Sequence, residues 1–196
     1  FYKYYFKNFS KLILDERNML YLDKIALEIE KIKKNSGKVF VFGNGGSAAI
    51  ASHFSLDLSN NFNIKCLNFN NAELITCFSN DFRYENWIKK VLEIHMEKKD
   101  IVILISSSGK SKNMIKAAKY IKQKKNKLFT FTGFSKLNPL RKLSNYNLWV
   151  NSYNYNQIEN LHQIWLLFIV DYLKKTEVGV PKKIKKSIKK RFKYFS

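Results

Sequence analysis

Short apolar segments alternate with helical stretches along most of this sequence, and this alternation restricts the fold more than any other feature. Each apolar segment has four or five residues, which fits a strand and is too short for a helix. The predicted strands are 39–42, 65–69, 101–105, 128–132 and 147–150, and the predicted helices are 48–58, 84–96, 111–122 and 157–174. Because helical crossovers join parallel strands, the sequence predicts an α/β three-layer sandwich with a five-stranded parallel sheet.

The regions on either side of this alternating part have patterns of their own. Apolar residues recur among charges through roughly the first 35 residues, which predicts two helices, the second ending near Gly37. We therefore divide the chain into an N-terminal helical segment (1–36), an α/β domain (37–178) and a basic C-terminal tail (179–196). Apolar residues at i, i+4 spacing in the tail leave two interpretations open. The tail is either a basic amphipathic helix for an anionic membrane or a nucleic acid, or a segment packed on a neighbouring subunit.

Composition bears on the partners and the compartment of the chain. The formal net charge of +21 attracts anions in general, but the lysines are scattered and no nucleic-acid-binding motif accompanies them, so a nucleic-acid partner is not predicted. No apolar run approaches the roughly 20 residues of a membrane span, and the sequence opens without a signal-peptide pattern. We therefore predict no membrane span and a cytoplasmic location. Cys66 and Cys77 lie in apolar surroundings without a CxxC pair, which predicts buried, reduced thiols.

Two loops that join a predicted strand to a predicted helix are candidates for binding a phosphate. The glycine loop is GNGGS at 43–47, and the serine loop is SSSGKS at 106–111. Ligands of parallel sheets bind at the carboxyl ends of the strands, where both loops lie. Glycines allow close backbone approach, and hydroxyls together with helix N-terminal N–H groups bind phosphate. The alternatives are a simple tight turn for the glycine loop and an ordinary helix N-cap at Ser111.

These loops also exclude two classes of nucleotide-binding protein. Neither loop completes a Walker motif, and Ala48 stands where a dinucleotide-binding motif would need its third glycine. The candidate phosphate- and substrate-binding residues are Asn44, Gly45, Ser47, Ser106, Ser107, Ser108 and Ser111.

The motifs GNGGSAA at 43–49, SND at 79–81 and ISSSGKS at 105–111 together resemble the SIS (sugar isomerase) domain family and, within it, the bacterial phosphoheptose isomerases. The resemblance implies a flavodoxin-like sheet, preceded by helices that help to build a homotetramer or dimer. It also implies a sugar-phosphate substrate and aldose–ketose isomerisation in heptose or surface-polysaccharide synthesis. Asp81 resembles a family residue that contacts substrate hydroxyls, and its alternative role is a helix cap before Trp87. The competing function is that of a non-catalytic SIS protein that binds a sugar phosphate and regulates or scaffolds partners.

The resemblance extends to residues that carry chemistry. His53 and Asp57 lie four residues apart on one helix face, where the family has a His and a Glu that bind zinc, the Glu also being a proposed base. The segment 157–167 resembles the family pattern R-I-Q-E-x-H followed by a second His. In this alignment Glu159 replaces a metal-binding Gln, and Leu167 replaces the second His, which is a metal ligand and proposed acid.

This resemblance yields a set of candidate catalytic and metal-binding residues. The candidate catalytic residues are Asp57, Glu159 and His162, and the candidate zinc ligands are His53, Asp57 and Glu159. Two histidines keep structural alternatives: His53 as an ordinary helix residue, and His162 as a residue of the core or of a subunit interface.

Overall fold

A computed structural model describes the backbone of residues 1–178 and the side chains of residues 1–175. Five parallel strands form one sheet in the order β2-β1-β3-β4-β5. The strands are β1 (Lys38–Phe42), β2 (Lys65–Leu67), β3 (Ile101–Ser106), β4 (Lys127–Thr132) and β5 (Tyr146–Trp149). The eight described α-helices are α1 (Tyr2–Ile13), α2 (Glu16–Lys34), α3 (Gly46–Phe62), α4 (Ala72–Phe82), α5 (Trp87–His95), α6 (Lys112–Lys124), α7 (Pro139–Leu143) and α8 (Tyr155–Val178). The predicted flavodoxin-like α/β sandwich with N-terminal helices is confirmed. The prediction for the basic tail at 179–196 lies outside the described residues.

The sheet is covered on both faces because successive side chains of each strand point to opposite sides. Val39, Val41 and Ile103 belong to a cluster with α2, α3 and α8. Phe40 and Val102, their neighbours along the strands, belong to a second cluster with α5 and α6. Continuous burial of the strands on both faces explains why they read as uninterrupted apolar runs.

The N-terminal helices attach to the sheet at its β5 edge. The Asn18 side chain on α2 donates a hydrogen bond to the Trp149 carbonyl at 2.9 Å and accepts one from the Trp149 N–H at 3.0 Å. One buried amide therefore pairs with the N–H and C=O of Trp149, two of the backbone groups on the free side of the edge strand. α2 also buries Leu22, Ile25 and Ile29 in the same cluster as the sheet, whereas α1 has no fully buried residue.

Four elements differ from the sequence prediction. α4 and α7 were not predicted, and the predicted helix 84–96 is a 3₁₀ turn at Tyr84–Asn86 followed by α5. α4 contains no fully buried residue, and its apolar side chains Leu74, Ile75 and Phe78 are only partly buried against the second cluster. The predicted strand 65–69 ends at Leu67, and Phe69 beyond it has a positive φ of 51°.

The two cysteines differ in exposure. Cys66 is buried, as predicted, and burial raises the pKa of its thiol to about 12. The predicted burial of Cys77 is wrong, because this residue lies on the solvent side of α4. Both are free thiols. Among residues 1–178, none of the helices combines the length and the apolar character that crossing a bilayer requires.

Candidate functional site

The serine loop directs several hydroxyl groups toward the N-terminus of α6. Ser106 and Ser107 are both 5% exposed at the end of β3, and the Oγ atoms of Ser106 and Ser111 lie 3.4 Å apart. Ser111 occupies the N-cap position of α6 without making a side-chain capping hydrogen bond, so the N-cap alternative does not account for its hydroxyl. The Ser107 Oγ is buried without a hydrogen-bond partner among the described residues. Buried hydroxyls are normally paired, so a ligand that accepts these hydrogen bonds fits this loop.

Backbone contacts with the next strand and helix hold the serine loop in place. The Gly133 N–H donates to the Ser107 carbonyl at 2.8 Å, and the Leu140 N–H donates to the Gly109 carbonyl at 3.2 Å. Gly109 has a φ of 62° and lies against the buried side chain of Asn138. A side chain at Gly109 would suffer both a strained backbone and a steric overlap, which explains the glycine within the serines.

A pair of amides ties the glycine loop to the first turn of α6, directly after the serine loop. Asn44 and Asn113 exchange hydrogen bonds of 2.8 and 3.1 Å between their side chains. Asn113 is 1% exposed in the first turn of α6, and the Tyr84 hydroxyl donates to the Asn44 Oδ1 at 3.1 Å. Gly45 caps α3 with a φ of 55°, and Ser47 is buried in the first turn of that helix. The sequence brought neither Asn113 nor Tyr84 to attention, because their partner lies on a distant part of the chain.

On the other side of the glycine loop, a cleft of about 340 Å³ separates α3 from α8. Polar side chains of His53, Glu159 and Gln163 line it, together with Gly46, Ala49, Ile50 and Asn160. The Glu159 carboxylate lies directly against Gly46, where any side chain would meet it. The structure therefore brings His53 and Glu159 together, as the sequence predicted, and adds Gln163, which the sequence analysis missed. Its position one helical turn beyond Glu159 is the signal that would have found it.

The predicted zinc ligands are only partly brought together. His53 Nε2 and Asp57 Oδ2 lie 3.5 Å apart on α3, and Glu159 faces the same cleft from α8. Within residues 1–175, however, no three His, Cys, Asp or Glu side chains form a group that could hold a metal ion. The side chains as arranged do not fit the three-ligand zinc site, and the mechanism proposed below uses these residues without a metal.

His162 lies in the core rather than in the cleft. It is 0% exposed and packs between the rings of Phe131 and Trp165. Its Nε2 lies 3.3 Å from the Thr132 carbonyl, and its Nδ1 is buried without a partner among the described residues. Burial lowers the pKa of His162 from 6.5 to about 4. This placement corresponds to the structural alternative, and we do not retain His162 as a catalytic candidate, because a fully buried imidazole cannot reach a substrate in the cleft.

The buried neutral His162 predicts a pH dependence of stability. Below pH 6.5 the unfolded chain binds a proton at His162, whereas the folded chain binds it only near pH 4. The free energy of unfolding therefore falls as the pH is lowered from 6.5 to about 4. We expect wild type to lose about 2 kcal/mol more than His162→Gln between pH 7 and pH 5, measured by urea denaturation. Parallel pH profiles for wild type and variant would contradict this assignment, and His95→Gln, at an exposed position, serves as the control.

Asp81 is not among the residues that line the cleft, and its described hydrogen bonds stay within α4. It is exposed in α4, where its Oδ1 accepts a hydrogen bond from the Asn80 amide at 3.1 Å. The alternative that it caps a helix before Trp87 is wrong, because Asp81 lies within α4 and a 3₁₀ turn separates it from α5. Its contact with substrate hydroxyls stays a prediction.

A second cavity, between α5 and α6, carries lysines but is not a comparable site. Of the lysines that line it, Lys116 pairs with Glu85 at 2.8 Å and Lys89 pairs with Glu93 at 3.3 Å. Acidic partners therefore neutralise much of its charge.

Comparison with known proteins places this chain in a family. The family model described as the SIS domain matches residues 4–133, which include both loops, α3 and the strands β1 to β4. Phosphoheptose isomerases of Histophilus somni and Proteus mirabilis are each 33% identical to this chain over 129 residues. These matches span 63% of this chain, and 66% of the H. somni protein, just under two thirds of its length. They span 67% of the P. mirabilis protein.

Solved structures agree with the same fold. A phosphoheptose isomerase from Francisella tularensis superposes with a TM-score of 0.79 at 24% identity, over 88% of this chain and 96% of that one. The phosphoheptose isomerase from Neisseria gonorrhoeae gives a TM-score of 0.73 at 23% identity, over 78% and 84% of the two chains.

Proposed function

This chain belongs to the SIS-domain family, and from that premise we propose that it is a sugar-phosphate isomerase, which interconverts a ketose phosphate and an aldose phosphate. The observation that carries the proposal is the arrangement around the glycine loop. On one side, Asn44 bonds Asn113 in the helical turn that follows the serine loop, and on the other, Gly46 contacts the carboxylate of Glu159. The proposed phosphate-binding loop and a carboxylate that can act as a general base thus lie on either side of one short loop. The named relatives make sedoheptulose 7-phosphate the proposed substrate, and a heptose phosphate the product.

We assign the proton transfers to the residues of the cleft. The Glu159 carboxylate removes a proton from C1 of the ketose, the C1–H electron pair forms the C1=C2 double bond, and the carbonyl pair moves onto O2. His53, held 3.5 Å from Asp57, donates a proton to O2 and takes one from O1. Glu159 then returns its proton to C2, which completes the aldose without any oxidant or reductant. The serine loop and the N-terminus of α6 hold the phosphate throughout.

A second candidate function is a non-catalytic protein that binds a sugar phosphate. The observation that favours it is Leu167, which lies two helical turns beyond Glu159 on α8, where the resembled family has a His. An apolar side chain can neither transfer a proton nor bind a metal. Phosphate binding by the serine loop does not depend on this position, so binding without turnover is a coherent alternative.

The proposal includes homotetrameric assembly and a cytoplasmic location. Exposed apolar side chains on α1 and α8, among them Phe6, Ile164 and Phe168, supply material for subunit contacts. The free thiols Cys66 and Cys77 suit a reducing compartment.

A turnover assay in deuterated water tests the proposed function. We expect the purified chain to convert sedoheptulose 7-phosphate to an aldose phosphate, with solvent deuterium at C2, detected by NMR. The assay is run with a chelator and, separately, with added zinc. Binding of the sugar phosphate by calorimetry without turnover or C1 exchange in either condition would contradict the isomerase and support the non-catalytic candidate.

A further inference from the structure

We propose that Gln163 is a substrate-binding residue of the cleft, whose side-chain amide donates a hydrogen bond to the carbonyl oxygen of the bound sugar. This inference rests on the proposed isomerase function and assigns a role to a residue that the family motifs do not include. In the isomerisation the same oxygen becomes the enediolate oxygen, so the donor also stabilises charge as it develops.

The position of Gln163 on α8 points it into the cleft. Glu159, Gln163 and Leu167 recur every four residues, which places them on one helix face, and all three are partly buried. Glu159 and Gln163 line the cleft opposite His53, whereas His162, one residue before Gln163, faces the core. This face of α8 therefore presents a carboxylate, an amide and an apolar side chain in succession.

The side-chain amide of Gln163 makes no hydrogen bond within the described part of the chain. Neither this amide nor the Glu159 carboxylate makes a hydrogen bond or ion pair with another described residue, whereas the buried Gln157 on the same helix accepts a hydrogen bond from the Ser152 hydroxyl at 2.8 Å. The polar groups of Glu159 and Gln163 are thus both available to a ligand in the cleft.

His53 supplies the proton to O2, and a neutral donor beside it stabilises the charge that develops on this oxygen before that proton is transferred. The Glu159 carboxylate can take a proton but cannot stabilise a negative oxygen, and Leu167 offers no donor. Of the two amides that line the cleft, Asn160 is exposed at its rim, and Gln163 is the more buried. A glutamine donor directed at a developing oxyanion typically contributes about 10²–10³-fold in rate.

Two substitutions at this position test the proposal against a matched control. Gln163→Leu removes the amide, and Gln163→Glu replaces the donor by an acceptor of nearly the same shape. Both residues are good helix formers, so far-UV circular dichroism and melting are expected to match wild type. Gln123→Leu makes the same chemical change at an exposed site near the C-terminal end of α6. We expect about a 10²-fold loss of kcat for both Gln163 variants, unchanged affinity for inorganic phosphate, and wild-type rates for Gln123→Leu.

The outcomes separate this inference from the function on which it rests. Wild-type kcat in both Gln163 variants, or an equal loss in Gln123→Leu, would overturn the role of Gln163 while leaving the isomerase intact. If wild type itself does not turn over, the proposed function fails, and calorimetry with sedoheptulose 7-phosphate decides on Gln163. Several-fold weaker sugar-phosphate binding by Gln163→Leu, at unchanged phosphate affinity, then supports the contact, and equal binding overturns it.

Discussion

Replacing Glu159 by glutamine is expected to lower kcat by about 10²–10⁴-fold, the range that a general base contributes. The variant Glu159→Gln keeps the size and hydrogen-bonding shape of the side chain and removes only its capacity to accept a proton from C1. The carboxylate lies against Gly46 at the start of α3, and a neutral amide can occupy the same place. We therefore expect KM to change little. Steady-state kinetics and solvent deuterium exchange at C1 measure the effect on the same proton transfer.

A surface carboxylate gives the matched control for this prediction. Glu93→Gln makes the same change in a partly exposed residue of α5 that pairs with Lys89, and it is expected to leave kcat unchanged. The resembled family carries glutamine where this chain has Glu159, so the substitution also introduces the family residue. If Glu159→Gln retained or raised kcat, another group would be the base, and Asp57, close to His53, would be the next candidate.

The parts of the site that the sequence predicted are those in which neighbouring residues act together. The segment 101–122 combines a buried strand, the four hydroxyls of the serine loop and the start of a helix. The location of the serine loop at the carboxyl end of a strand therefore follows from the local pattern alone. His53 and Asp57 are one helical turn apart, so their proximity follows from the period of the helix. In each case the sequence distance is short and the secondary structure fixes the geometry.

The parts that the sequence did not predict depend on contacts between distant segments. Asn44 and Asn113 are 69 positions apart, and only the adjacency of β1 and β3 in the sheet brings their amides together. Tyr84, whose hydroxyl donates to Asn44, lies in a 3₁₀ turn directly after α4, a helix that was not predicted. Such pairs have no signal in a single sequence, since asparagine and tyrosine are common in loops of many kinds.

Motif alignment on α8 identified residue types correctly but not the face on which each residue lies. His162 matched a histidine of the family pattern, yet its side chain packs against Phe131 in the core. Gln163, the next residue, lies in the cleft and drew no attention, because it matches no motif position. Successive residues of a helix point about 100° apart, so a shift of one position separates a core residue from a residue of the cleft. The orientation of α8 against α3 decides which residue faces the cleft.

The second large effect is expected at Gly109, where the serine loop bends against Asn138. A Cβ atom at Gly109 would overlap the Asn138 side chain, whose own Cβ would lie only 2.9 Å away. Asn138 cannot retract easily, because it is 1% exposed, its Nδ2 donates to the Ser135 carbonyl at 2.9 Å, and its Oδ1 accepts from the Arg141 N–H at 2.9 Å. The positive φ of 62° adds backbone strain for any residue with a side chain.

Gly109→Ala is therefore expected to lower the free energy of unfolding by about 2–6 kcal/mol, the sum of backbone strain and overpacking. Gly45→Ala is the matched comparison for stability, because Gly45 also has a positive φ, of 55°, but a Cβ there would meet nothing within 4 Å. Strain alone predicts a loss of about 1–3 kcal/mol for this second variant. Urea denaturation measures both losses of stability, and calorimetry measures the affinity of the serine loop for inorganic phosphate. Equal losses of stability, with phosphate affinity retained in Gly109→Ala, would mean that Asn138 yields and that the loop keeps its shape without the glycine.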